Sequence, residues 1–171
     1  MLPRLSAELH GKADIQQRDF SRPEPPESAL ELSKSASEMR MSDLCLSPEG
    51  DAPSSARFFE ALAAGCVPVV LADRHRIAFD LPFPSLIDYD SIAVFSEPLS
   101  RLGGAGLAPL AAALDSMNAD RLDEMRAKGR RIFEKWFSYM QGGEGVATGI
   151  LAEAWIMMMQ HGIIPKVEGV I

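Results

Sequence analysis

Cysteine is scarce in this 171-residue chain, with two residues in all, so disulfides are excluded as the organising principle of the fold. No uninterrupted apolar run of 18 residues exists. The nearest, Gly145 to Met159, is broken by Glu153, and nothing therefore reads as a transmembrane helix. The first 25 residues lack the apolar stretch of a signal peptide. Basic residues are outnumbered, 17 Lys plus Arg against 24 Asp plus Glu. A formal charge of −7 argues against a nucleic-acid binder, whose affinity comes largely from neutralised phosphates. The acids form no tail, since residues 1–60 carry 7 basic and 11 acidic side chains and the remainder 10 and 13. Also missing are the GKT or GKS of a P-loop and the GxGxxG of a dinucleotide fold. What is present is 47% hydrophobic residues, ordinary for a globular chain. At this length a folded chain buries roughly 70% of its unfolded surface, enough for a core without staples.

Cys45 and Cys66 each lie in an apolar run, beside Leu44 and Leu46 and beside Val67 and Val69. That setting suits small buried hydrophobes better than a disulfide or a metal pair.

Residues 1–28 end in Arg22-Pro-Glu-Pro-Pro-Glu27 and read as an extension or linker, because proline cannot sit in a helix interior. Ser28, with Glu31 three residues on, opens a polar helix over Ala29 to Arg40. A strand over Asp43 to Ser47 follows, stopped by Pro48-Glu-Gly-Asp51. Ser54 to Ala64 reads as a helix closed by Gly65, and Cys66 to Leu71 as a continuous β-branched strand. Strand, loop, helix and strand joined this tightly make a βαβ unit, and a strand apolar on both faces belongs in a parallel sheet covered by helices. A third strand is expected at Ser91 to Phe95 and a fourth is conceivable at Ala13 to Gln17. Beyond them the periodicity is helical, through Leu107 to Met117, Leu122 to Trp136 and Val146 to Met157. The fold class is α/β, a Rossmann-like parallel sheet with a helical C-terminal region. The main domain covers residues 29–160, and 161–171 form a tail.

In such sheets the loop leaving the carboxyl end of a strand and feeding a helix N-terminus is where phosphates bind. Here it is Glu49-Gly-Asp-Ala-Pro-Ser-Ser55, with two hydroxyls and a glycine in favour of a phosphate and two acids against. On the following helix, a spacing of 100° per residue puts Phe58, Phe59, Leu62 and Ala63 on one side and Arg57, Glu60, Ala61 and Ala64 on the other. The second side sets a guanidinium and a carboxylate over two small residues. It reads either as a ligand site, with Glu60 accepting from a ribose diol, or as a surface ion pair worth a few tenths of a kcal/mol.

The segment from Leu44 to Val70 resembles the donor-side motif of the exostosin family of glycosyltransferases: a Cys-Leu strand, Pro-x-Gly-Asp, a Ser or Arg pair, an aromatic-rich helix with Glu, then Ala-Gly-Cys-Val-Pro-Val. Pro82 to Val94 and Phe133 to Phe137 are similar to later parts of the same family, so the resemblance runs from about Leu30 to Gln160. It implies half of a GT-B enzyme, in which two Rossmann-like domains face each other and the C-terminal one holds a UDP-sugar. Carried over, Glu60 binds the donor ribose, Arg57 the nucleotide or its diphosphate, Ser54 and Ser55 the pyrophosphate, and Gly50 permits close backbone approach. The catalytic base is not identifiable and no metal residue or tightly bound cofactor is assigned. The partners implied are a nucleotide sugar, a glycan acceptor and an N-terminal GT-B half or homologous subunit, with a Golgi location. An alternative is a truncated non-catalytic α/β module that pairs with another subunit, and a third reading is an unrelated Rossmann-like binder preferring adenine.

Tyr89 stands where family members usually carry Trp. Asp88-Tyr-Asp90 looks like a DxD metal motif, yet two carboxylates in a turn more often cap it in solvent. His75, in Asp73-Arg-His-Arg76, is expected in an exposed loop after the second strand. The five basic residues from Arg126 to Lys135 are expected to form a solvated helix face, following acids at Asp120, Asp123 and Glu124 as the helix dipole favours. The Trp155 to Met159 cluster is apolar nearly all round and calls for burial against the sheet or an N-terminal domain.

Overall fold

The computed structural model describes residues 29–98, 100–102, 107–140 and 143–164. The 1–28 extension, the conceivable strand at 13–17 and most of the 161–171 tail lie outside them. The order is α1 (Ala29–Met41), β1 (Leu44–Pro48), α2 (Ala56–Ala64), β2 (Val67–Leu71), α3 (Arg74–Asp80), a 3-10 turn (Tyr89–Ser91), β3 (Val94–Ser96), α4 (Leu107–Asp115), α5 (Ala119–Trp136) and α6 (Glu144–Gln160). Among the described residues the sheet has three strands in the order β1-β2-β3, all parallel. Leu44 pairs with Val67 and Val69 with Val94, so α2 is the crossover of a βαβ unit as expected. The architecture is an α/β, Rossmann-like sheet with a helical C-terminal region.

Every residue of β2 is buried, as a central parallel strand requires. Pro68 is tolerated there for a local reason. Val67 donates to the Asp43 carbonyl at 2.9 Å, so the next nitrogen faces the opposite neighbour, and the ladder with β3 starts only at Val69. Gly65 ends α2 with φ 79°, a left-handed cap whose N–H reaches back to Ala61 and Leu62 carbonyls.

Phe58 and Leu62 of α2 sit at the centre of the main core with Val70, Ile77, Tyr89 and Ile92. Helix α5 closes that core along α2, and its Gly129 brings the backbones together: a Cβ there would lie 2.9 Å from Leu62 Cδ2. Gly145 of α6 approaches Lys135 of α5 still more closely, and a Cβ there would run into the Lys135 carbonyl oxygen.

Several expectations are corrected. Cys45 and Cys66 are joined in a disulfide, with Cα atoms 5.9 Å apart. Their apolar neighbours do report burial, at 8% and 1% exposure, but parallel pairing sets Cys45 opposite Pro68, two residues past Cys66, and brings the two sulfurs together. The third strand runs over Val94–Ser96 because the Ser91 hydroxyl donates to the Asp88 carbonyl at 2.5 Å and winds residues 89–91 into a 3-10 turn. His75 lies in helix α3 rather than a loop, since the Asp73 carboxylate caps the His75 and Arg76 amides. The basic face of α5 is only partly solvated. Arg126 Nε donates to the Gly65 carbonyl at 2.8 Å and Arg130 to that of Ala64 at 3.1 Å, so two guanidinium groups close the negative end of α2. Helix α6 rests on α5 but leaves Ile150, Leu151, Trp155 and Met157 exposed.

Candidate functional site

The β1–α2 loop emerges at the carboxyl edge of the sheet and delivers Ser55 as the N-cap of α2 with extended backbone. The first N–H groups of any helix have no intrahelical partner, and together with the dipole they favour an anion. Ser55 does not satisfy them, because its side chain makes no cap bond and its hydroxyl lies 3.1 Å from that of buried Ser47. Ser54 is engaged elsewhere: its N–H donates to Asp80 Oδ2 at 2.7 Å and its hydroxyl to the same oxygen at 2.5 Å. Those two bonds hold the Asp80 carboxyl below its usual range, against a smaller opposing effect of desolvation and with help from Arg76. Gly50 stands on the exposed loop with open space where a Cβ would be, so an approaching ligand meets backbone only.

On the flank of α2, Arg57 and Glu60 form an ion pair at 3.5 Å, with side chains 36% and 54% exposed. Arg57 also donates to the Ser35 hydroxyl of α1 at 3.3 Å. Thus Ser54 and Ser55 immediately precede α2, and Arg57 and Glu60 lie on its first two turns. The two small residues beneath the pair do not leave a ligand space. Ala61 and Ala64 are 0% and 9% exposed and pack with Met39 and the Cys45–Cys66 disulfide, whereas Ala63, expected in the core, faces out. Helix spacing sorts residues into sides but does not say which neighbours cover each side.

The rest of the edge is bounded by ion pairs. Arg101 meets Asp73 at 2.9 Å and Glu97 at 3.3 Å, while Arg74 is bonded to both Asp90 carboxylate oxygens at 2.6 Å and covers the Phe95 ring at 4.1 Å. Hydrogen bonds from the Arg76 and His75 amides, followed by Arg101, lower the Asp73 carboxyl, again against desolvation. Asp90 of the DxD-like triplet is therefore held by Arg74. Tyr89 between the two acids turns inward, where its hydroxyl donates to the Pro82 carbonyl at 2.5 Å. Burial, then the charge of Glu153, raises its phenol above the ordinary value. Among the described residues no group of three or more His, Cys, Asp or Glu is placed to hold a metal ion.

Asp80, Ser47, Ser35 and Arg101 are members of this edge that sequence patterns did not single out. Asp80 carried no signal of its own, being 26 positions from Ser54. Among the described residues, two hollows lie elsewhere. One of about 350 Å³ is lined by Arg131, Lys135, Ser138 and Gly143–Gly145, and an apolar one of about 290 Å³ by Phe59, Phe83, Trp136 and Phe137.

The profile of the Exostosin GT47 domain matches residues 2–100, which contain the whole β1–α2–β2 unit and, apart from Arg101, the edge just described. The chain belongs to the exostosin GT47 family. Among its relatives, Exostosin-1 of Bos taurus is 30% identical over 132 residues, 77% of this chain and 16% of its own length. Exostosin-1a of Danio rerio is 34% identical over 100 residues, 58% of this chain and 12% of its own. Probable arabinosyltransferase ARAD1 of Arabidopsis thaliana is 39% identical over 59 residues, 34% of this chain and 12% of its own. The chain thus spans 12% to 16% of the length of these three proteins.

Proposed function

We propose that this exostosin-family chain is the donor-binding half of a glycosyltransferase of GT-B arrangement, taking a sugar from a UDP-sugar and passing it to a glycan acceptor. The observation that carries the reading is the placement of Ser54 and Ser55 just before α2, with Arg57 and Glu60 on its first two turns, at the sheet edge where α/β folds bind phosphates. In this reading the diphosphate lies against the Ser54–Ser55 backbone and Gly50, Arg57 turns from Glu60 toward it, and Glu60 accepts from the ribose diol. Holding the departing diphosphate lowers the barrier because negative charge develops there in the transition state. The acceptor site and the base belong to a second domain, contributed by an N-terminal GT-B half or a homologous subunit. No tightly bound cofactor takes part. The Cys45–Cys66 disulfide supports an oxidising compartment, in keeping with a Golgi lumen. No helix among the described residues is long and apolar enough to cross a membrane.

Calorimetric titration with UDP and UDP-sugars tests the donor site. Charge-assisted hydrogen bonds contribute about 1.5–3 kcal/mol, so Glu60→Ala and Arg57→Ala should each weaken UDP by roughly tenfold or more. A well-folded sample that binds no UDP, or prefers ADP, refutes the reading. A second reading, a non-catalytic module, draws on the closed state of the edge, where Arg57 meets Glu60 and Ser54 meets Asp80. It predicts no donor hydrolysis by the chain alone, and assembly when a partner carrying the other half is added.

A further inference from the structure

The Asp80 carboxylate sits in an unusual place for its own helix. It is the last residue of α3, where the dipole disfavours negative charge, yet it reaches the first residues before α2, where the dipole favours it. One of its oxygens accepts from both the amide and the hydroxyl of Ser54, which is what a phosphate oxygen would do at that position. We propose that Asp80 is a built-in anion that keeps the diphosphate seat closed, and that an incoming diphosphate takes Ser54 from it by displacing the carboxylate. This rests on the donor reading above and adds to it a gate made from the chain itself.

The chemistry sets a selectivity. A carboxylate left beside a bound diphosphate repels it, so the seat opens only for an anion able to replace both Ser54 bonds and also engage Arg57. Uridine alone carries no such charge and does not compete for Ser54. The Asp80 neighbourhood can yield: its residue is exposed, α3 is seven residues long, and adjoining Phe79 is 94% exposed. The nearby charge that the released carboxylate can turn to is Arg76, which already lowers its pKa.

The test compares the full-length chain with Asp80→Asn and Asp80→Ala by calorimetry, using UDP and uridine as probes and thermal melting to confirm folding. Loss of the competing charge should tighten UDP roughly five- to tenfold, the exposed setting reducing the full effect of a charged hydrogen bond, while uridine binding stays unchanged. Ser54→Ala removes the hydroxyl but keeps the amide, so it should weaken UDP and reduce the gain from Asp80→Asn in the double variant. UDP binding that is unchanged or weaker in both Asp80 variants overturns the gate while leaving the donor site standing. Equal tightening of UDP and uridine also overturns it, as a general loosening of the loop. Absence of UDP binding in the wild type and in all variants overturns the donor reading itself.

Discussion

Reducing the Cys45–Cys66 bond should cost the domain a large part of its stability. The bridge closes a loop of 21 residues, containing the β1–α2 loop, all of α2 and the Gly65 cap. In the chain-entropy treatment a loop of that length removes about 11 cal/mol/K from the unfolded ensemble, or about 3.3 kcal/mol at 25 °C. Small domains have about 5–15 kcal/mol in total, so the bond accounts for a substantial share. Taking a urea slope of about 2 kcal/mol/M, the unfolding midpoint should fall by roughly 1.6 M on reduction. The assay is urea denaturation followed by circular dichroism, with and without reductant, alongside a thiol count that rises from zero to two under denaturing conditions. Cys45→Ala with Cys66→Ala should fall at least as far, because truncation also opens space beside Met39, Ala61 and Ala64. A shift below about 0.3 M with complete reduction would show that β1 and α2 are held by packing alone.

Two other perturbations probe the same framework. Gly145→Ala should separate α6 from α5, because its Cβ meets the Lys135 carbonyl, a backbone atom that cannot turn aside; a loss of about 1–3 kcal/mol or more is expected in thermal melts, and an unchanged melt refutes the close approach. Tyr89→Phe removes the bond to the Pro82 carbonyl and should cost about 1 kcal/mol at neutral pH. Since burial raises the Tyr89 phenol, its stabilisation is fully present below the unfolded value of about 10 and is lost as pH rises from there through the folded value. Wild type should therefore lose stability above pH ~10 more steeply than Tyr89→Phe, and parallel profiles would contradict the assignment.

Much of the α/β framework could be read along the chain because it is written in short-range patterns. The β-branched run into Leu71 and the Gly65 cap act through neighbours a few residues away, and the observed βαβ unit follows them closely. The aromatic-rich α2 carries the family resemblance for the same reason. What linear pattern could not decide is which distant groups meet. Ala61 and Ala64 read as an open face until α1 and the disulfide cover them, and Ser91 reads as strand until its hydroxyl winds a turn.

The sequence alone determined an α/β domain built around one crossover helix, through the strand, helix, Gly65 cap and apolar strand that run from Asp43 to Leu71. Only the tertiary structure decided that the two cysteines bond, that Arg126 and Arg130 close the far end of that helix, and that Asp80 occupies its near end. The reason is physical: periodicity and capping are local preferences of the chain, whereas these contacts join residues 21 to 66 positions apart and exist only once parallel pairing and helix packing bring them within bonding distance.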